Sequence, residues 1–253
     1  MKTKLKFSDL IFVASMLFGL FFGAGNLIFP IYMGQLSGSN MIPAVLGFLI
    51  TGVGLPLLGV AAMGISRSDG LIELSKKVGK GYSVFFTCAL YLTIGPLFAI
   101  PRCATVPFTV GIEPMLSGGG NEKVILAVFS ALFFAIVLGF SLFPGKILTW
   151  VGKILNPVFL VFLGILTFAA IFNPMGGALD ASPTGNYVNS PFMTGFLEGY
   201  NTMDALAALA FGIIVIDVIR GLSVTEPKAV AKSTIKAGVF SSLIMAVIYV
   251  AVT

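Results

Sequence analysis

The sequence contains no histidine. That absence excludes imidazole proton relays, histidine-ligated metals and Ser/His or Cys/His catalysis together. Charge is scarce too: 10% of the 253 residues are Asp, Glu, Lys or Arg, against about 25% in an average soluble domain. So few polar side chains cannot clothe a water-facing surface. Cysteine is limited to Cys88 and Cys103. Both fall within one apolar stretch, at no spacing that suggests a metal or a disulfide, and read as apolar filler.

What is present is greasy. Hydrophobic residues make up 57% of the chain and the mean hydropathy is +1.05. Apolar runs recur at lengths near the roughly 20 helical residues that span a bilayer, without the ten-residue alternating segments of a membrane β-barrel. The chain reads as an all-α integral membrane protein of seven transmembrane helices, at approximately 8–34, 41–65, 82–112, 123–142, 147–172, 191–219 and 233–253. Lys2, Lys4 and Lys6 ahead of the first run, with Gly23-Ala24-Gly25 near its end, imitate a cleaved leader. The run resumes at once with Leu27-Ile28-Phe29, so it reads as an anchor instead. A short amphipathic piece, Leu71 to Val78, is expected as a helix on the inner surface.

Basic residues assign the sides. The N-terminus, the 2–3 loop (Arg67, Lys76, Lys77, Lys80), the 4–5 connection (Lys146, Lys153) and the 6–7 loop (Arg220, Lys228, Lys232, Lys236) are basic, whereas the opposite side has only Lys123. Cytoplasmic loops are the Lys/Arg-rich ones, which places the N-terminus inside. The net charge of +5 follows from this asymmetry and says nothing of nucleic acid. The last run stops at Thr253 without a polar flank, from which a fragment of a longer chain is expected.

Two spans interrupt themselves. The first contains "FFGAGNLIFP", residues 21–30, and the sixth contains "EGYNTMD", residues 198–204. Glycine and proline disfavour helix, and asparagine brings an amide that lipid cannot satisfy. Glycine in membrane helices often serves close packing, yet Gly-Ala-Gly-Asn followed by Pro30 is a poor packing stripe. Spans one and six cross in opposite directions, and paired broken helices are the sequence signature of an inverted-repeat transporter site at mid-membrane. An unwound Gly23-Ala24-Gly25 exposes backbone to a substrate carboxylate at the start of the outer half-helix. Carbonyls from Gly19 to Phe22, with the amide oxygen of Asn26, suit a cation. Three charges lie inside spans, where each is costly and normally faces a cavity or a partner. Of these, Glu198 and Asp204 flank the second break, and Arg102 either pairs with Glu198 or snorkels to the interface. Asn201 and Asp204 also fit a variant capping box, and Tyr200, between the carboxylates, is placed as a gate.

The strings "LFFGAGNLIFP", "GPLFAIPRCATVPF", "FPGKILTWVGKILNP" and "GFLEGYNTMDALAALAFGIIV" resemble the branched-chain amino acid:cation symporters, the bacterial carrier II proteins. The resemblance runs along the whole chain. It implies the amino acid–polyamine–cation fold of two inverted five-helix repeats: one transmembrane domain over 1–253, with the first repeat at 1–172 and a partial second at 191–253. It implies import of leucine, isoleucine and valine across the cytoplasmic membrane with Na⁺ or H⁺ and no other cofactor, the partners being substrate and lipid. By the same resemblance Gly23, Ala24, Gly25 and Asn26, with Gly199, Tyr200 and Asn201, are substrate-binding. Gly19, Phe22, Asn26, Glu198 and Asp204 serve the coupled ion. Sodium-coupled relatives carry an arginine between this asparagine and Phe-Pro; here Leu27-Ile28 stand before Phe29-Pro30. Such relatives complete the second cation position from an eighth span, so the 253-residue chain alone is expected to transport poorly. The rival readings are an uncoupled exchanger, a carrier of another small apolar amino acid, a non-transporting membrane subunit, and a membrane hydrolase using Glu198 and Asp204. In the last case the two carboxylates, six residues apart, meet only across a break.

Overall fold

Helix is the only regular structure among the described residues of the computed structural model, which are 5–68, 70–116, 121–142, 154–172 and 181–253. In chain order the first apolar run forms α1 (Phe7–Phe21) and α2 (Ala24–Ser37). The second forms α3 (Met41–Leu49) and α4 (Leu55–Ser66), joined by a π turn over Ile50–Gly54. Then come α5 (Leu71–Lys76), α6 (Lys80–Leu92), a second π turn over Thr93–Leu97, and α7 (Ala99–Gly111). After α8 (Glu122–Ser141) and α9 (Asn156–Phe172) lie α10 (Pro191–Asn201), α11 (Asp204–Gly221) and α12 (Pro227–Val252).

Among the described residues, five helical stretches are long and apolar enough to cross a membrane: Gly25–Ser66, Lys80–Met115, Glu122–Ser141, Pro191–Gly221 and Pro227–Val252. Phe7–Phe21 and Pro157–Ala170 are shorter apolar helices. These make the chain a multi-pass membrane protein. Lys2, Lys4, Lys146 and Lys153, which carry part of the orientation argument, lie outside the described residues, as does the expected start of the fifth span. The amphipathic piece expected on the inner surface forms α5, its Leu71 and Ser75 buried and Glu73 and Lys76 exposed.

Lipid offers no hydrophobic drive between helices, so close fit and hydrogen bonds decide which ones pair. The glycines of spans two and six supply that fit. A Cβ on Gly195 would meet the backbone of Ala44, and one on Gly47 the backbone of Phe192. Gly199 rests against Phe48 O, Gly52 N and Thr51. Gly195 and Gly199, four apart on one face of α10, therefore let it settle onto α3 backbone to backbone. The Thr51 hydroxyl donates to Phe196 O at 2.7 Å within this contact. On α4, Gly59 meets Ala208 of α11 and Gly64 meets Thr234 of α12. The core lies where α1, α4, α11 and α12 converge, around Phe18, Phe48, Val60, Met63, Val215 and Tyr249. By contrast α8 buries none of its residues: it meets α7 through Phe129 against Phe108 and otherwise offers apolar side chains outward.

Candidate functional site

Both expected interruptions are there. Between α1 and α2 the chain is extended at Phe22 (φ −72°, ψ 97°) and Gly23 (φ −111°, ψ −173°). Between α10 and α11 it unwinds at Thr202 and Met203, and Met203 takes a left-handed conformation with φ 66°. For a residue with a Cβ that costs about 1–2 kcal/mol, and such backbone strain clusters at functional positions. The second break therefore lies just past Gly199-Tyr200-Asn201, which complete the last turn of α10. Met203 caps α11 without a side-chain hydrogen bond, so the expected Asn201–Asp204 capping box does not form.

Asn26 ties the two breaks together. Its amide oxygen accepts the N–H of Gly23 at 2.9 Å, closing the first turn of α2. Its amide nitrogen donates to Oδ2 of Asp204 and to the hydroxyl of Tyr249, the latter at 2.6 Å. The Tyr249 hydroxyl in turn donates to the same carboxylate oxygen at 3.2 Å. All three side chains are buried: Asn26 and Asp204 are 2% exposed and Tyr249 1%. A buried carboxylate needs hydrogen bonds to offset its lost hydration. Asp204 receives two, and it is also the first residue of α11, where the helix dipole favours negative charge. Tyr249 is held between the rings of Phe22, 6.1 Å away and stacked, and Phe48, 5.0 Å away and edge-on.

A cavity of about 290 Å³ opens beside this cluster, close to the small end of the ~300–1,000 Å³ range of ligand pockets. Gly23, Gly25 and Asn26 line it from the first break, and Thr202, Met203 and Asp204 from the second. Arg102 and Ile100 of α7 line a third side; Leu20, Ile94, Ala207 and Phe211 make the remainder mostly apolar. The Arg102 guanidinium donates through Nη1 to the carbonyl of Asn201 at 3.0 Å, and its Cζ lies 4.7 Å from the centre of the Phe29 ring. A Cβ on Gly25 would occupy the place of Nη2. Of Gly23 and Gly25, Gly25 is thus the one that the guanidinium approaches closely.

The other named residues lie around this centre. Glu198 is partly exposed, makes no ion pair with Arg102, and receives only a long 3.5 Å contact from Asn201 Nδ2. Tyr200 is 48% exposed and Gly199 is packed against α3, neither lining the cavity. Asn201 reaches the site through its backbone carbonyl. Gly19 lies one turn before the first break, and Phe22 meets Tyr249 rather than the cavity. Ala24 begins α2. Tyr249 was missed: a tyrosine in the last apolar run reads as an interfacial anchor, and nothing local marks it as interior. Tyr249→Phe leaves one Asp204 lone pair and one Asn26 N–H without their partner. It is expected to lower stability by about 1–2 kcal/mol, read as a drop in melting temperature of the detergent-solubilised protein.

Comparison with known sequences decides the family. A family model described as "Branched-chain amino acid transport protein" matches residues 6–253. The chain belongs to this family. It is 55% identical over 249 residues to the branched-chain amino acid permease BrnQ of Lactobacillus delbrueckii subsp. lactis, covering 98% of this chain and 56% of that protein. It is 45% identical over 250 residues to the permease BraB of Bacillus subtilis, covering 99% and 55%. With the branched-chain amino acid transport system 2 carrier protein of Pseudomonas aeruginosa the identity is 41% over 249 residues, covering 98% and 56%. The chain spans a little over half the length of the curated relatives it matches. The family is one of transport proteins rather than enzymes. No solved structure matches.

Proposed function

We infer that the chain builds the substrate site of a secondary carrier that imports leucine, isoleucine and valine across the cytoplasmic membrane together with Na⁺ or H⁺. In this reading the seven apolar runs are seven spans with a cytoplasmic N-terminus. Residues 1–172 form the first inverted repeat and 191–253 the beginning of the second. The observation that carries the reading is the Asn26–Asp204 hydrogen bond, which joins two broken helices at the wall of one small cavity. Broken helices are tolerated in lipid only where the freed backbone lines a cavity or is buried in protein, and in transporters that cavity is the substrate site. The apolar walls suit a branched aliphatic side chain, and the relatives' names speak of branched-chain substrates.

Calorimetric titration of the chain in lipid nanodiscs tests this. Leucine, isoleucine and valine are expected to bind saturably, with alanine weaker by at least the ~10–200-fold that a single methylene contributes in an apolar pocket. A leucine affinity that rises with sodium identifies sodium as the coupled ion; one that rises on acidification identifies the proton. Absence of saturable leucine binding would sink the reading in favour of a non-transporting membrane subunit.

A further inference from the structure

We propose that Arg102 is the ionic receptor for the substrate's carboxylate. The inference rests on the carrier reading above and assigns a residue within that site. It begins from a charge that makes no salt bridge among the described residues. Arg102 lines a cavity that is otherwise mostly apolar, and among the described residues it makes no ion pair. The carboxylate on the same cavity, Asp204, is bonded instead to Asn26 and Tyr249. A cation in such a place is costly unless something of opposite charge meets it.

The guanidinium is held in a way that leaves one side of it available. Nη1 is anchored on the Asn201 carbonyl, at the C-terminal end of α10 where the helix dipole is negative. The plane lies over Phe29, with Phe98 further off at 5.9 Å. Nη2 projects to Gly25, into the place that a Cβ there would take. Gly25 is the second residue of α2, whose first N–H groups lack intrahelical acceptors. A carboxylate placed at that point meets the positive end of α2 and the free tine of the guanidinium together. Arginine suits the task better than lysine: its rigid fork holds one anchor and still presents a second donor in fixed geometry. An amino acid bound so directs its side chain toward Leu20, Ile94, Ala207 and Phe211.

A purely structural Arg102, tying α7 to the end of α10, predicts something different. Its loss would weaken every ligand alike. The test therefore compares leucine with leucinamide, which keeps the side chain and the ammonium but has no carboxylate. Both are titrated onto wild type, Arg102→Gln and Arg102→Lys in nanodiscs, with melting temperatures recorded alongside. Wild type is expected to favour leucine. Arg102→Gln is expected to weaken leucine by about tenfold or more, as loss of one member of a buried charge pair does, while leucinamide changes little and the preference collapses. Arg102→Lys is expected to fall between the two. An unchanged leucine-to-leucinamide ratio in either variant that folds overturns the assignment and leaves the carrier reading intact. Failure of wild type to bind leucine overturns both.

Discussion

Asn26→Ala is expected to destabilise the protein by about 2–5 kcal/mol, more than any other single truncation at the site. The substitution removes three hydrogen bonds at once. Gly23 loses the acceptor that closes the start of α2, Tyr249 loses its donor, and the Asp204 carboxyl group loses the Asn26 amide. The last loss weighs most, because a fully buried carboxyl group deprived of a donor is left partly unsatisfied. Asn26→Asp is expected to be as harmful for a different reason: it keeps the acceptor for Gly23 but sets a second carboxylate against the first. Thermal unfolding in detergent, followed by loss of the monodisperse chromatographic peak, checks both. An Asn26→Ala protein that melts within two or three degrees of wild type, roughly the shift for 1 kcal/mol in a chain of this size, would show that the bonds across the breaks hold little.

Gly199→Ala should cost about 3 kcal/mol, the upper end of the penalty for overpacking, and Gly199→Leu should abolish a folded monomer. The added carbon would press on Phe48 O, on Thr51 and on Gly52 N, which lies 3.0 Å from it. Two of these are backbone atoms inside helical turns and cannot rotate aside. The only relief is for α10 to lift off α3, with loss of the Thr51–Phe196 bond as well. Gly23→Ala provides the contrast. The nearest atom to a Cβ there is 3.7 Å away and φ is −111°, so alanine fits without strain. Melting curves of the two variants side by side make the comparison. Equal tolerance at both positions would refute the packing role given to Gly199.

How the sequence was readable follows from the same residues. The existence of both breaks was legible because the cost of glycine, asparagine and proline in a membrane helix is a local property. The exact place of neither was: α2 is already helical at Ala24 and Gly25, so the first break is Phe22-Gly23. Gly199 looks like a helix breaker, but its glycine serves contact with α3, and the chain unwinds three residues later at Thr202 and Met203, neither of which favours a break. Tertiary placement of Asp204 determines where α11 starts. The Asn26–Asp204 and Asn26–Tyr249 bonds span 178 and 223 residues, and no local pattern encodes a partner so distant. Arg102 was visible as a misplaced charge, yet its partner is a backbone carbonyl, which side-chain types do not reveal. The apolar runs and the surface helix α5 were legible because hydropathy and amphipathic spacing report them directly.

The bonds from Asn26 also have a mechanical meaning. With the first turn of α2, the first residue of α11 and a tyrosine of α12 fastened at one point, those three segments share a common pivot. A carrier that opens its cavity first to one face of the membrane and then to the other cannot slide these segments past each other without tearing three buried hydrogen bonds. The helices α1 and α10 end beside this pivot in the two breaks, at Phe22-Gly23 and at Met203, and α7 reaches the end of α10 through Arg102.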